Sequence, residues 1–200
     1  MTALRLAPHT YVTFCKGLPL TTLAGIFAEA GLPAARDSGE SRGWAWVAHP
    51  AWAADQDDRG ATDLARDITG YRYADRVPAG PGAAAPETVF LASTPACDCP
   101  RGRYYFVPQC PEHPFQFQYS RGGFEQTAFN VGRRRESLRS GARADLLVRE
   151  LLAAGIVGRD TPGYDADPDF NADGAHTVRI IADHFGLPSR PFGGGAPSGR

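Results

Sequence analysis

Phe115-Gln-Phe-Gln-Tyr119 puts an aromatic ring at every second position with a carboxamide between, and Gly122-Gly123 follows almost at once. A strand turns successive side chains to opposite faces, so this pattern predicts one buried face and one polar face. Ser120-Arg121-Gly122-Gly123 predicts a hairpin turn, because glycine takes positive φ without a Cβ clash. Phe124 to Val131 is then the returning strand. An isolated hairpin is marginal in water, so the rest of the chain must supply more strands, or helices, to cover those rings.

Further strands are predicted at Thr10–Phe14, at Gly43–His49 with Trp44, Trp46 and Val47, at Thr88–Leu91 and at Arg103–Val107. Thr21 or Thr22 caps a helix whose apolar positions Leu23, Ile26, Phe27 and Ala30 follow three-four spacing before Gly31 and Pro33 stop it. Asp63–Ile68 reads as a short helix. Ser140 caps a helix over Ala142–Ala154, with Leu147, Leu151 and Ala154 inward and Asp145 four residues before Arg149. A last helix runs from about Ala175 to Phe185, its stripe Val178, Ile181 and Phe185. This order predicts an α+β fold: a mostly antiparallel sheet with helices packed on one side. One domain spans 1–188, with a flexible Pro/Gly loop at 77–86, a zinc-knuckle-like insertion at 95–114 and a disordered tail at 189–200.

Lys16 is the only lysine; the other basic residues are arginine, in a chain rich in Ala, Gly and Pro. That bias is the codon signature of a GC-rich bacterial genome and carries little functional information. The formal net charge of −1 argues against a protein that coats nucleic acid. No stretch approaches the ~20 apolar residues of a membrane span, and the first residues lack a secretory signal. A cytoplasmic location without membrane contact is therefore expected, where the four cysteines stay reduced.

Cys97-Asp-Cys99 is followed by Cys110-Pro-Glu-His113, giving C-x-C and C-x2-H pairs within seventeen residues. Zinc takes four such donors in a tetrahedron, usually as two close pairs held by turns. Pro100, Gly102, Pro108, Pro111 and Pro114 stiffen the turns around both pairs. The pattern predicts a structural zinc on Cys97, Cys99, Cys110 and His113. Reduced thiols without metal are the plain alternative. Redox or catalytic use is a sharper one, since Arg101 and Arg103 stand near enough to lower a thiol pKa. Cys15 reads as core packing.

Other motifs carry less. Asp169 to Gly174 reads D-x-N-x-D-G like the opening of an EF-hand, but the twelfth position is Ile180 rather than a bidentate Glu. A solvated loop with Asp173 capping the last helix is the simpler reading. Arg133, Arg134 and Arg135, close to the aromatic hairpin, offer a basic patch for nucleic acid; an exposed arginine loop explains them equally. His49 and His184 read as structural. No phosphate loop, G-x-S-x-G or H-E-x-x-H occurs.

Tyr11-Val-Thr-Phe-Cys-Lys-Gly-Leu18, leading into an amphipathic helix, resembles the opening of a family of uncharacterised actinobacterial proteins with a domain of unknown function. Phe129-Asn-Val-Gly-Arg-Arg-Arg135, the Leu-rich helix, the acidic loop and the closing helix resemble its later part. Together these segments cover about half of the chain; the cysteine cluster and the Pro/Gly loop depart from the pattern. The resemblance implies fold and lineage and assigns no activity. The expected function is a non-catalytic binding or accessory protein acting through a protein partner, with zinc holding one loop. The alternatives are a thiol- or metal-dependent enzyme and a nucleic-acid binder using Arg133–Arg135.

Overall fold

The computed structural model describes residues 4, 6, 10–32, 34–50, 59–77, 84–93, 115–131, 139–158, 162–167, 170–171 and 174–192. The strands are β1 (Thr10–Lys16), β2 (Asp37–Ser41), β3 (Trp44–Pro50), β4 (Glu87–Ser93), β5 (Phe115–Arg121) and β6 (Phe124–Val131). The helices are α1 (Leu20–Glu29), α2 (Arg59–Asp67), α3 (Val148–Ala153), α4 (Pro162–Ala166) and α5 (Ala175–Phe185), with a 3₁₀ turn at Tyr71–Arg76. The strands form one antiparallel sheet in the order β2-β3-β1-β4-β5-β6. The architecture is α+β, as the sequence pattern implies.

Helices cover both faces of that sheet, not one. Val12 and Phe14, Trp44 and Trp46, Val89 and Leu91, Phe117 and Tyr119 pack under α3, α5, Leu187 and Phe192. The intervening residues Cys15, Ala45 and Val47 pack under Leu23, Ile26 and Phe27 of α1, under Leu64 of α2 and under Ile68 just after it. Tyr11, Phe90 and Ala92 meet Ala65 on that second face. Trp44 to Ala48 is buried without interruption. Such a run, rather than a clean alternation, marks a strand covered on both sides.

The β5–β6 hairpin forms as expected, with Gly122 and Gly123 at φ 60 and 81. Gly123 also meets Gly70 at the end of α2: a Cβ on Gly70 would lie 2.9 Å from Gly123 Cα. The contact is tied by Gly123 N–H donating to Thr69 Oγ1 at 2.9 Å. Only two residues without side chains let the chains approach so closely.

One strand is added and three expectations are corrected. β2, Asp-Ser-Gly-Glu-Ser, lacks any apolar alternation and was not foreseen as a strand; it is an edge strand whose Gly39 leaves room for the Trp46 ring. Neither Thr21 nor Thr22 precedes α1, whose cap position is Pro19; the Leu20 N–H donates to Glu40 of β2 instead. The helix read from Ala142 shrinks to Val148–Ala153. Ser140 pairs its backbone with Ala128 of β6 and donates its hydroxyl to Glu125, and Leu147 sits at φ 71. Ser140 therefore extends the sheet edge rather than capping a helix, and Arg149 pairs with Glu150 at 3.4 Å. Finally, the expected tail does not begin at 189, since the segment Ser189–Phe192 is held against the fold; 193–200 lie outside the described residues. Phe192 is fully buried and stacks on Phe14 at 5.4 Å, and Arg190 reaches Asp37 at 3.2 Å. Burying one more ring is worth about 2 kcal/mol, enough to hold the short Ser189–Phe192 segment against the core.

Candidate functional site

Two ends of the sheet have different characters. At one end, a single register row runs Pro50–Thr10–Ser93–Phe115–Val131 across β3, β1, β4, β5 and β6. The segments 51–58, 94–114 and 132–138 all leave or enter the sheet from this row. They carry Cys97, Cys99, Cys110, His113, Arg133, Arg134 and Arg135, and the strand expected at Arg103–Val107. All of these lie outside the described residues. The Pro/Gly loop lies there too, apart from its ends. Ser93 and Phe115 are direct partners in the β4–β5 ladder, so their Cα atoms stand about 5 Å apart. The cysteine-bearing segment is thus closed at its base. Among the described residues, no group of three or more His, Cys, Asp or Glu is gathered to hold a metal.

Beneath this row, on the α1/α2 face, lie buried polar side chains, among them His49, which the sequence reads as structural. His49 is 1 % exposed and stacks on Phe27 of α1 at 4.7 Å. Among the described residues, neither of its ring nitrogens has a hydrogen-bond partner; the same holds for Thr13 Oγ1 and Gln116 Nε2. Burial alone pushes the imidazole down to about 4 from an ordinary value of 6.5, so it is neutral at physiological pH. Cys15 is fully buried, and the loss of solvation raises its thiol to about 12. It packs and does not react, as the sequence suggested.

The second end faces the hairpin turns. Here one row runs Ser41–Trp44–Lys16–Glu87–Arg121–Phe124 across all six strands. Helix α5 covers the row before it: Phe185 packs on Tyr119 at 4.8 Å, and its carbonyl accepts from Trp44 Nε1 at 3.2 Å. Past that point, among the described residues, Lys16, Arg121 and Phe124 are exposed and Glu87 is half-buried. Lys16 holds its ammonium 5.9 Å from the Trp44 ring centre. Glu87 accepts from the Tyr119 hydroxyl at 3.2 Å and lies 3.8 Å from Arg121 Nε. Burial, and then the Glu87 charge, hold the Tyr119 phenol above its ordinary range. An open groove of about 480 Å³ adjoins the row, lined by Leu18, Pro19, Glu40, Ser41, Trp44 and Ala45 among others. None of this row was singled out from the sequence. The one available signal was Lys16, a lone lysine at a strand end among arginines.

Two other clusters prove structural. Asn171, from the D-x-N-x-D-G run, is buried; its Oδ1 accepts from the His176 and Thr177 N–H groups at 3.0 and 3.3 Å, and its Nδ2 donates to Thr177 Oγ1 at 2.9 Å. It therefore caps α5, the work expected of Asp173, which is outside the described residues. A hollow of about 280 Å³ beside Arg72, Tyr73, Asp75 and Arg76 has both its arginines paired: Arg76 grips Glu29 through two bonds of 2.8 and 2.9 Å, and Arg72 meets Asp67 at 3.2 Å. No described helix is long and apolar enough to cross a membrane.

No family model matches the chain, and neither a curated protein nor a solved structure is significantly similar to it.

Proposed function

We propose that this protein is a non-catalytic binding or accessory protein acting through a protein partner, with a structural zinc on Cys97, Cys99, Cys110 and His113. The observation that supports the zinc is the pairing of Ser93 with Phe115. The ladder has already met the cost of closing the segment that carries all four donors, so the metal has only to gather two short pairs within it. Structural zinc sites of this ligand type are filled by four protein donors, which leaves no open position for catalysis.

The test is metal content and its coupling to stability. Protein purified without added metal should carry one zinc per chain. Cys97→Ser or His113→Ala should lower zinc content, and a strong chelator should shift the thermal midpoint downward in the parent only. Metal-free protein that melts cooperatively and ignores the chelator sinks the proposal. Turnover that vanishes with Cys97→Ala while the midpoint holds would favour the thiol enzyme instead.

A further inference from the structure

We infer that the row Lys16–Glu87–Arg121–Phe124 is the docking surface for an acidic protein segment. This rests on the proposed protein-binding function and names the face and the chemistry of the partner.

The four side chains occupy consecutive strands β1, β4, β5 and β6, in one register row. Phe124 is 69 % exposed and is one of two large apolar side chains left open among the described residues. The Arg121 side chain is 53 % exposed, and Lys16 is exposed with its ammonium placed over Trp44. An exposed ring paired across the ladder with an exposed arginine is the composition of an interface anchor rather than of an idle surface.

Charge decides the occupant. Two cations face one carboxylate, and the Glu87 oxygens are engaged by the Tyr119 hydroxyl and by Arg121. Lys16 stands over an aromatic face and makes no ion pair among the described residues. With Arg121 and Glu87 largely offsetting each other, the row keeps one net positive charge, centred on Lys16, although the chain is not basic overall. Adjacent strands are about 4.8 Å apart, so Lys16 and Arg121 are separated by about 10 Å. Two helical turns rise about 11 Å. A partner helix with acidic residues two turns apart and an apolar residue beyond them matches Lys16, Arg121 and Phe124 in order. Glu87 between the cations disfavours a polyphosphate, which presents uninterrupted negative charge, and favours a protein segment with a neutral or basic residue at its centre.

The probe is a displayed library of random peptides selected on the full-length protein. Lys16→Glu/Arg121→Glu is the counter-target, and Lys16→Ala/Arg121→Ala and Phe124→Ser serve as milder variants checked for an unchanged thermal midpoint. Selected peptides should be acidic, should bind the double alanine variant about tenfold more weakly than the parent, and should weaken further as salt is raised. The inference is overturned if nothing is enriched, if enriched peptides are not acidic, or if the variants bind them as tightly as the parent. It is also overturned if the face instead retains a duplex oligonucleotide with the same dependence on Lys16 and Arg121. Zinc is measured on the same samples. Zinc-free protein that still selects acidic peptides removes the knuckle alone; zinc-loaded protein that selects none removes this surface alone.

Discussion

Replacing His49 by Phe should flatten the acid limb of the stability curve. His49 is 1 % exposed, and burial pushes its folded pKa to about 4 from 6.5. Between those values the unfolded chain binds a proton that the folded chain excludes. Stability is therefore intact above about pH 6.5 and falls as pH drops toward 4. The full shift corresponds to about 3 kcal/mol, of which about 2 kcal/mol is already lost at pH 5. For a domain of this size that is about 4–8 °C in thermal midpoint. Phenylalanine keeps the stack on Phe27 and removes two buried nitrogens that lack partners among the described residues. Urea unfolding at pH 7 and pH 5 on both proteins isolates the effect. The parent should lose about 2 kcal/mol more than His49→Phe over that interval, whatever the packing of the larger ring does at pH 7. Equal losses in both proteins would refute the reasoning, for they would mean that the imidazole accepts its proton inside the fold at no extra cost.

Two further substitutions probe contacts that position the sheet. Gly70→Ala places a Cβ 2.9 Å from Gly123 Cα although the Gly70 backbone is extended, and should cost about 1–3 kcal/mol in urea; Gly25→Ala, with open space around it inside α1, should instead gain about 0.5–1 kcal/mol. Asn171→Ala removes three hydrogen bonds at the start of α5 and should cost about 2 kcal/mol, with Asn171→Asp in between because it keeps the oxygen that accepts from both N–H groups and loses the donor to Thr177; thermal melts read both.

The elements legible in the chain were those whose signal is local. The β5–β6 hairpin was spelled by ring-carboxamide alternation and Gly122-Gly123, and α5 by the stripe Val178, Ile181, Phe185; each spans the residues that its pattern predicts. The cysteine and histidine donors are a motif of the chain alone, whereas their closed base depends on Ser93 meeting Phe115. Tertiary structure decided the rest, because those features depend on partners remote in sequence. β2 is a strand only because β3 lies beside it and Gly39 admits Trp46. Ser140 has a cap's chemistry, but the open edge of β6 takes its backbone. Phe192 belongs to the core because Phe14, far away in the chain, offers its face. The row of Lys16, Glu87, Arg121 and Phe124 could not be read in advance, since no spacing in the chain encodes it: four strands from distant segments align those residues, one row past the point where Phe185 of α5 packs on Tyr119.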